Sequence, residues 1–157
     1  MKTRCKSIDI TDARTVYPYV LDCCMRHKKR YDFKKMFKQH GMTNTQYKLA
    51  LENKELFSDI IMSISEDAVS MIKNREFNLP PVKIRERYDV TTRKMRLIGD
   101  ESPMQQILDY IAVYGAMEIF KARIVPDQAS SIPGRGQIYG MKRIKRWVDK
   151  DNDSLKE

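Results

Sequence analysis

A chain of 157 residues, 41% hydrophobic and 32% charged, is long enough to bury one core and too apolar to belong with disordered proteins. No apolar run is long enough to cross a bilayer. The best, Ile107 to Phe120, is broken by Asp109 and Glu118 and suits a buried helix instead. A net charge of +9 points to an acidic partner, with nucleic acid ahead of a membrane surface because no amphipathic anchor stands out; an incidentally basic surface would carry the same charge.

In chain order, the opening Met1-Lys2-Thr3-Arg4-Cys5 has no apolar signal core, so a cytoplasmic location is expected. The three cysteines, Cys5, Cys23 and Cys24, form no Cys-x-x-Cys pair and read as reduced thiols. Cys23 and His27 share a helical spacing, with His40 further on, but a fourth ligand is missing and no metal site is expected. Thr15 and Pro18 predict the start of a first helix with Val16, Tyr19, Val20, Cys23 and Cys24 on its apolar face. It runs into a basic cluster, Arg26, Lys28, Lys29 and Arg30, then Lys34, Lys35 and Lys38 around Phe33, Met36 and Phe37, which Gly41 ends. A second helical block is expected from Asn44 to about Arg75, with Leu56, Ile60, Ile64, Ala68 and Met71 as one inward stripe.

Pro80-Pro81 closes this helical first part, residues 1–79, and the period of the remaining part, 80–157, changes to two. Val82, Ile84, Glu86 and Tyr88 alternate with Lys83, Arg85 and Arg87, and Met95 to Ile98 follows the turn Thr91-Thr92-Arg93-Lys94. The pattern predicts an antiparallel β-hairpin with one strongly basic face. Ser102-Pro103-Met104-Gln105 starts a helix as N-cap, first position and capping box, and Gln106, Leu108, Ile111, Ala112 and Met117 carry it to about Arg123. Pro126 opens a loop ending in Ile132-Pro133-Gly134-Arg135-Gly136. A last helix follows, with Ile138, Met141, Ile144 and Val148 inward and Lys142, Arg143, Lys145 and Arg146 outward. The fold class is α+β, mainly helical with one small hairpin.

Three features suit phosphates. The hairpin concentrates Arg85, Arg87, Arg93, Lys94 and Arg96, and a guanidinium fork matches phosphate oxygens. Gly134-Arg135-Gly136 permits close backbone approach before a helix N-terminus, without the Gly-Lys-Ser/Thr ending of a Walker loop. The basic face of the last helix lies beside Tyr139 and Trp147, a mixture suited to backbone and stacked bases. A solvated strand, a plain turn and a solvated helix face are the corresponding bland readings. No nucleophile, base and orienter set is present, and Asp149, Asp151 and Asp153 read as a solvated acidic tail, without the glycine of a calcium loop.

Taken in order, these elements resemble the fingers of bacterial-type reverse transcriptases, the group II intron, retron and related classes. His27 to Lys35 is similar to the amino-terminal extension of these enzymes. Arg93-Lys94-Met95-Arg96-Leu97-Ile98 resembles their "Lys/Arg-x-Arg-x-Ile" strand, and Met104-Gln105-Gln106-Ile107-Leu108 the helix after it. Ser130-Ser131-Ile132-Pro133-Gly134-Arg135-Gly136 resembles the "Ser-x-Gly-Phe-Arg-Pro-Gly-Arg" loop, and Met141 to Val148 its helix. Ile98-Gly99 stands where the family has Ile-Pro, and the Gly-Phe of the loop is absent.

The resemblance implies the fingers of a right-hand polymerase, with Arg96 as the first candidate for the triphosphate of an incoming nucleotide and Lys94 or Arg87 as a second cation. It implies nucleic-acid contacts at Arg93, Gly134, Arg135, Gly136, Lys142, Arg143, Arg146, Lys28, Lys29 and Arg30. The implied partners are an RNA template, an RNA/DNA primer-template duplex, a deoxynucleoside triphosphate and a chain or segment bearing the palm; no membrane is implied. The family's palm carboxylates hold Mg2+ and include a Tyr-x-Asp-Asp turn that this sequence lacks, so no catalytic or metal-ligating residue is expected here. Ser154-Leu155-Lys156-Glu157 is similar to the approach to the first palm strand, so the sequence is expected to stop where the catalytic half begins. The alternatives are a non-catalytic, maturase-like RNA-binding module and a protein-interaction domain.

Overall fold

The computed structural model describes residues 8–125, 127–128 and 134–154. Cys5, Pro126, the loop residues Ser130 to Pro133 and the end from Leu155 to Glu157 lie outside them. The fold is α+β: mainly helical, with one two-stranded antiparallel sheet. The chain divides into two compact units, 1–117 and 118–157.

In the first unit, α1 spans Ala13–His27. Its start is set by Asp12 rather than by Thr15 and Pro18. The Asp12 carboxylate accepts from the Thr15 amide at 2.9 Å and hydroxyl at 2.7 Å, so Thr15 is the capped residue. Pro18 lies inside the helix at an exposed position, where losing one backbone bond is tolerated. Helix α2, Tyr31–Gln39, ends at Gly41, whose φ of +92° allows the Met42 amide to reach back to the Phe37 carbonyl at 3.0 Å.

The block expected from Asn44 to Arg75 is two helices, α3 at Asn44–Glu52 and α4 at Ser58–Asn74, joined by a 3-10 turn over Lys54–Phe57. The break is at Asn53. Its backbone is extended and its side chain accepts from the Glu55 amide at 3.1 Å, a local bond that competes with the helix. The break also shifts the phase of the stripe. Phe57, Ile61, Ile64, Ala68 and Val69 are buried, Leu56 is exposed, and Ile60 and Met71 are half-buried.

Helix α4 ends on Arg75, in the left-handed region at φ +56° without being a glycine. Replacing Arg75 with glycine removes that Cβ strain, of about 1 kcal/mol, from an exposed residue. Arg75→Gly is expected to raise the melting temperature by a few degrees in a thermal melt, whereas Arg75→Ala should leave it unchanged.

Helix α5, Pro103–Gly115, begins on the Ser102 cap, whose hydroxyl accepts from the Gln105 amide at 3.3 Å. The neighbouring Gln106, rather than Gln105, returns a bond to the preceding chain, from its amide to the Glu101 carbonyl at 3.0 Å. Ile107 and Ile111 face the core and Ala112 is exposed. Helix α1 packs against α4 and α5, and Tyr19 stacks on Tyr114 with ring centroids 4.7 Å apart. Tyr114 also donates to Asp22, which pairs with Arg26. At the centre, Phe37 lies 5.1 Å from Phe57, 6.3 Å from Phe33 and 6.5 Å from Tyr47, ring centroid to centroid.

Cys23 and Cys24 are buried in this core. Burial pushes the Cys23 thiol up to about 12 and raises that of Cys24 as well, so neither is a ready thiolate ligand.

The helix expected to continue to Arg123 stops at Gly115, and α6, Met117–Arg123, begins after it. The second unit is built on α6 and α7, Gln137–Ser154. Helix α7 runs through Asp149 and Asp151, so these residues belong to the helix and not to a tail. Its stripe of Ile138, Met141, Ile144 and Val148, expected inward, is exposed, as is Trp147. Helical periodicity identifies an apolar stripe but does not supply the layer that covers it.

Candidate nucleic-acid interface

Strands β1, Lys83–Asp89, and β2, Lys94–Asp100, pair antiparallel with Arg87 opposite Arg96 and Asp89 opposite Lys94. Side chains alternate, so this register puts Lys83, Arg85, Arg87, Lys94 and Arg96 on one face with Asp89, Ile98 and Asp100. The other face carries Ile84, Tyr88, Met95 and Leu97, all exposed, around Glu86. The expected basic face is therefore there, with an open apolar face behind it. Gly99 has a local reason: a Cβ there would lie 2.9 Å from Val82 Cγ1.

The four-residue connection Val90 to Arg93 is shaped by Asp89, which accepts from the Thr91 amide at 2.9 Å and the Thr92 amide at 3.3 Å. Hydrogen bonds from Thr92, then Thr91, hold the Asp89 carboxyl below the usual carboxylate range. Arg93 closes the turn in the left-handed region at φ +52°, so it belongs to the tip rather than to the basic face.

The acids decide which cations are available. Arg96 is held by Asp89 at 2.8 Å and reaches the Thr92 hydroxyl at 3.4 Å. Arg85 is held by Asp100, also at 2.8 Å. Arg87 and Lys94 make no ion pair among the described residues. An open hollow of about 390 Å³ at the turn is lined by Arg87, Arg96, Asp89, Thr91, Tyr88 and Ile98, so Arg96 shares a recess with Arg87, one of the two candidates for a second cation, while Lys94 is not among its lining residues.

The other candidates divide in the same way. At the N-cap of α2, Arg30 forks onto Asp32 at 2.6 and 3.1 Å and donates to the side-chain amide oxygen (Oε1) of Gln106 at 3.1 Å, tying α2 to α5. Lys28 reaches the Leu51 carbonyl at 3.4 Å, while Lys29 is exposed. Burial, and then the Arg30 charge, hold His27 below the usual imidazole range. In the second unit, Arg135 donates to the carbonyls of Val125 at 3.1 Å and Gln128 at 3.4 Å and lies over the Tyr139 ring. Gly134, at φ +77°, gives the chain its turn before α7, and Gly134, Gly136 and Lys142 line a separate open hollow within this unit. Arg143 is fixed on Asp127, whereas Lys142 and Arg146 are exposed.

Asp89 and Asp100 were absent from the sequence-derived site, because only the strand register shows which arginines they neutralise. Among the described residues no group of three or more His, Cys, Asp or Glu side chains is arranged to hold a metal ion, and no helix is long and apolar enough to cross a membrane. No family model, curated protein or solved structure matches this chain.

Proposed function

We propose that this chain is the fingers portion of an RNA-directed DNA polymerase of the bacterial reverse transcriptase type, contacting template-primer and incoming nucleotide without catalysing extension itself. The observation that carries the reading is the hairpin: two arginines, Arg87 and Arg96, line one open recess at its turn, with Lys94 on the same face. A triphosphate or nucleic-acid backbone is the chemistry such a recess suits. The order of motifs from the hairpin to Gly134-Arg135-Gly136 supports the same reading. The described residues do not fit a magnesium site, so no chemical step is assigned to them; in this reading Mg2+ and its carboxylates belong to a palm supplied from elsewhere. The partners would be an RNA template, an RNA/DNA duplex and a deoxynucleoside triphosphate.

The test is fluorescence anisotropy of a labelled RNA-DNA hybrid over a series of salt concentrations. Arg87→Gln with Lys94→Gln removes two cations that hold nothing else in place. The double variant is expected to weaken binding about tenfold at low salt and to flatten the salt slope by about one per residue. Salt-insensitive binding by the parent protein, or an unchanged slope in the variant, would reject the reading. Preference for folded RNA over the hybrid would instead mark a maturase-like holder.

A further inference from the structure

Outside the hairpin, the first unit carries a second cluster of positive charge without ion pairs, on α2. Between Lys28 and Lys38 the sequence has six Lys and Arg residues against one acid, Asp32, and Asp32 is taken by Arg30. Lys34, Lys35 and Lys38 make no ion pair among the described residues. Phe33, Met36 and Phe37 are buried and fix the inward face of the helix. At 3.6 residues per turn, positions 31, 34, 35 and 38 then fall within an outward arc of about 100°. Tyr31 heads this row and is 83% exposed. The Lys34 ammonium lies 5.0 Å from the Tyr47 ring centroid, which positions it without neutralising it.

We propose that this outward face of α2 is a second nucleic-acid contact, specific for single strands, in which Lys34, Lys35 and Lys38 meet successive phosphates and Tyr31 stacks on an unpaired base. The charge complements a phosphate chain, and the open ring decides the form of the partner. A duplex offers phosphates but no free base face, whereas a single strand offers both. An anionic membrane is the poorer fit, because an interfacial helix needs apolar residues beside its lysines and those of α2 are turned into the core. The proposal stands on α2 alone and does not require the hairpin to bind nucleotide.

Anisotropy of labelled 12-nucleotide oligo(U) and oligo(dT) and of a 20-base-pair duplex tests it, using the whole chain. Tyr31→Ala is expected to weaken both single strands roughly five- to a hundredfold and the duplex hardly at all, with Tyr31→Phe retaining most of the affinity. Lys34→Gln, Lys35→Gln and Lys38→Gln combined should flatten the single-strand salt slope by about 2, near 0.7 per phosphate. All four residues are at the surface or half-buried, and a melting curve for each variant reports folding separately. Equal losses on duplex and single strand in Tyr31→Ala, or no loss in either variant, would overturn the proposal. So would variants that lose binding to phosphatidylserine vesicles while keeping the strand. The Arg87 and Lys94 double variant separates the sites: it should weaken the hybrid more than oligo(U), whereas Tyr31→Ala should weaken oligo(U) more than the hybrid.

Discussion

Phe37→Ala is expected to destabilise the first unit by about 3–5 kcal/mol, among the largest losses that truncating one described core side chain should produce. Phe37 is fully buried, and its ring meets Phe33 from its own helix, Tyr47 from α3 and Phe57 from the turn that leads into α4. Removing it opens a cavity where three segments converge, and the surrounding rings are too bulky to collapse into the space. Against a total stability of about 5–15 kcal/mol for an ordinary domain, that loss is a large fraction. The thermal midpoint should fall by roughly 10 °C or more. Lys38→Ala, one residue away on the outward face, should change stability by less than about 0.5 kcal/mol. A loss under about 1.5 kcal/mol in urea melts of Phe37→Ala would mean that the convergence of these rings is not the centre of the core.

The sequence was most legible where one periodicity ran uninterrupted beside unambiguous punctuation. Val16, Val20, Cys23 and Cys24 are buried as the spacing requires, and Ser102-Pro103 starts a helix where cap chemistry places it. The change of period after Pro80-Pro81 marks a hairpin, and the alternation assigns its basic face correctly. Misreadings occurred where a short polar side chain outweighed the pattern. Asp12 begins α1 by bonding Thr15, and Asn53 divides a continuous helical signal by bonding Glu55. Both are local hydrogen bonds available to Asp and Asn in many contexts, so sequence alone does not say when the bond forms. The α7 stripe shows a different limit, because amphipathicity is a property of one helix and burial is a property of two surfaces.

The candidate interface has the same division. Counting cations along 83–96 identifies a basic element, but counting cannot tell a paired guanidinium from an available one. The ladder register supplies that distinction. It brings Asp89 diagonally onto Arg96 and Asp100 onto Arg85, and leaves Arg87 and Lys94 without an ion pair among the described residues. Lys34, Lys35 and Lys38 are likewise without an ion pair among the described residues. In sequence they belong to a basic cluster around Phe33, Met36 and Phe37, and the folded chain sets them beside the exposed Tyr31.

The hairpin arrangement leads to the second large effect, a gain in affinity rather than a loss. Asp89→Asn should tighten binding of an RNA-DNA hybrid by roughly tenfold at low salt, because it removes an anion from the recess and frees the Arg96 guanidinium at once. The turn should survive, since the amide oxygen of Asn can still accept from the Thr91 and Thr92 amides. Freed Arg96 adds about one phosphate contact, so the salt slope should steepen by about one. Arg96→Gln in the Asp89→Asn background should abolish the gain, while Arg96→Gln alone should cost little, because in the parent chain Asp89 already occupies it. Acid should mimic the substitution. Asp89 is held below the usual carboxylate range, so it stays ionised down to an unusually low pH and the gain should appear only as pH falls through that depressed value. The stability contributed by its ionised form is lost over the same window. If Asp89→Asn weakens hybrid binding with an unchanged melting curve, the carboxylate acts as an organiser of the recess and not as its competitor for Arg96.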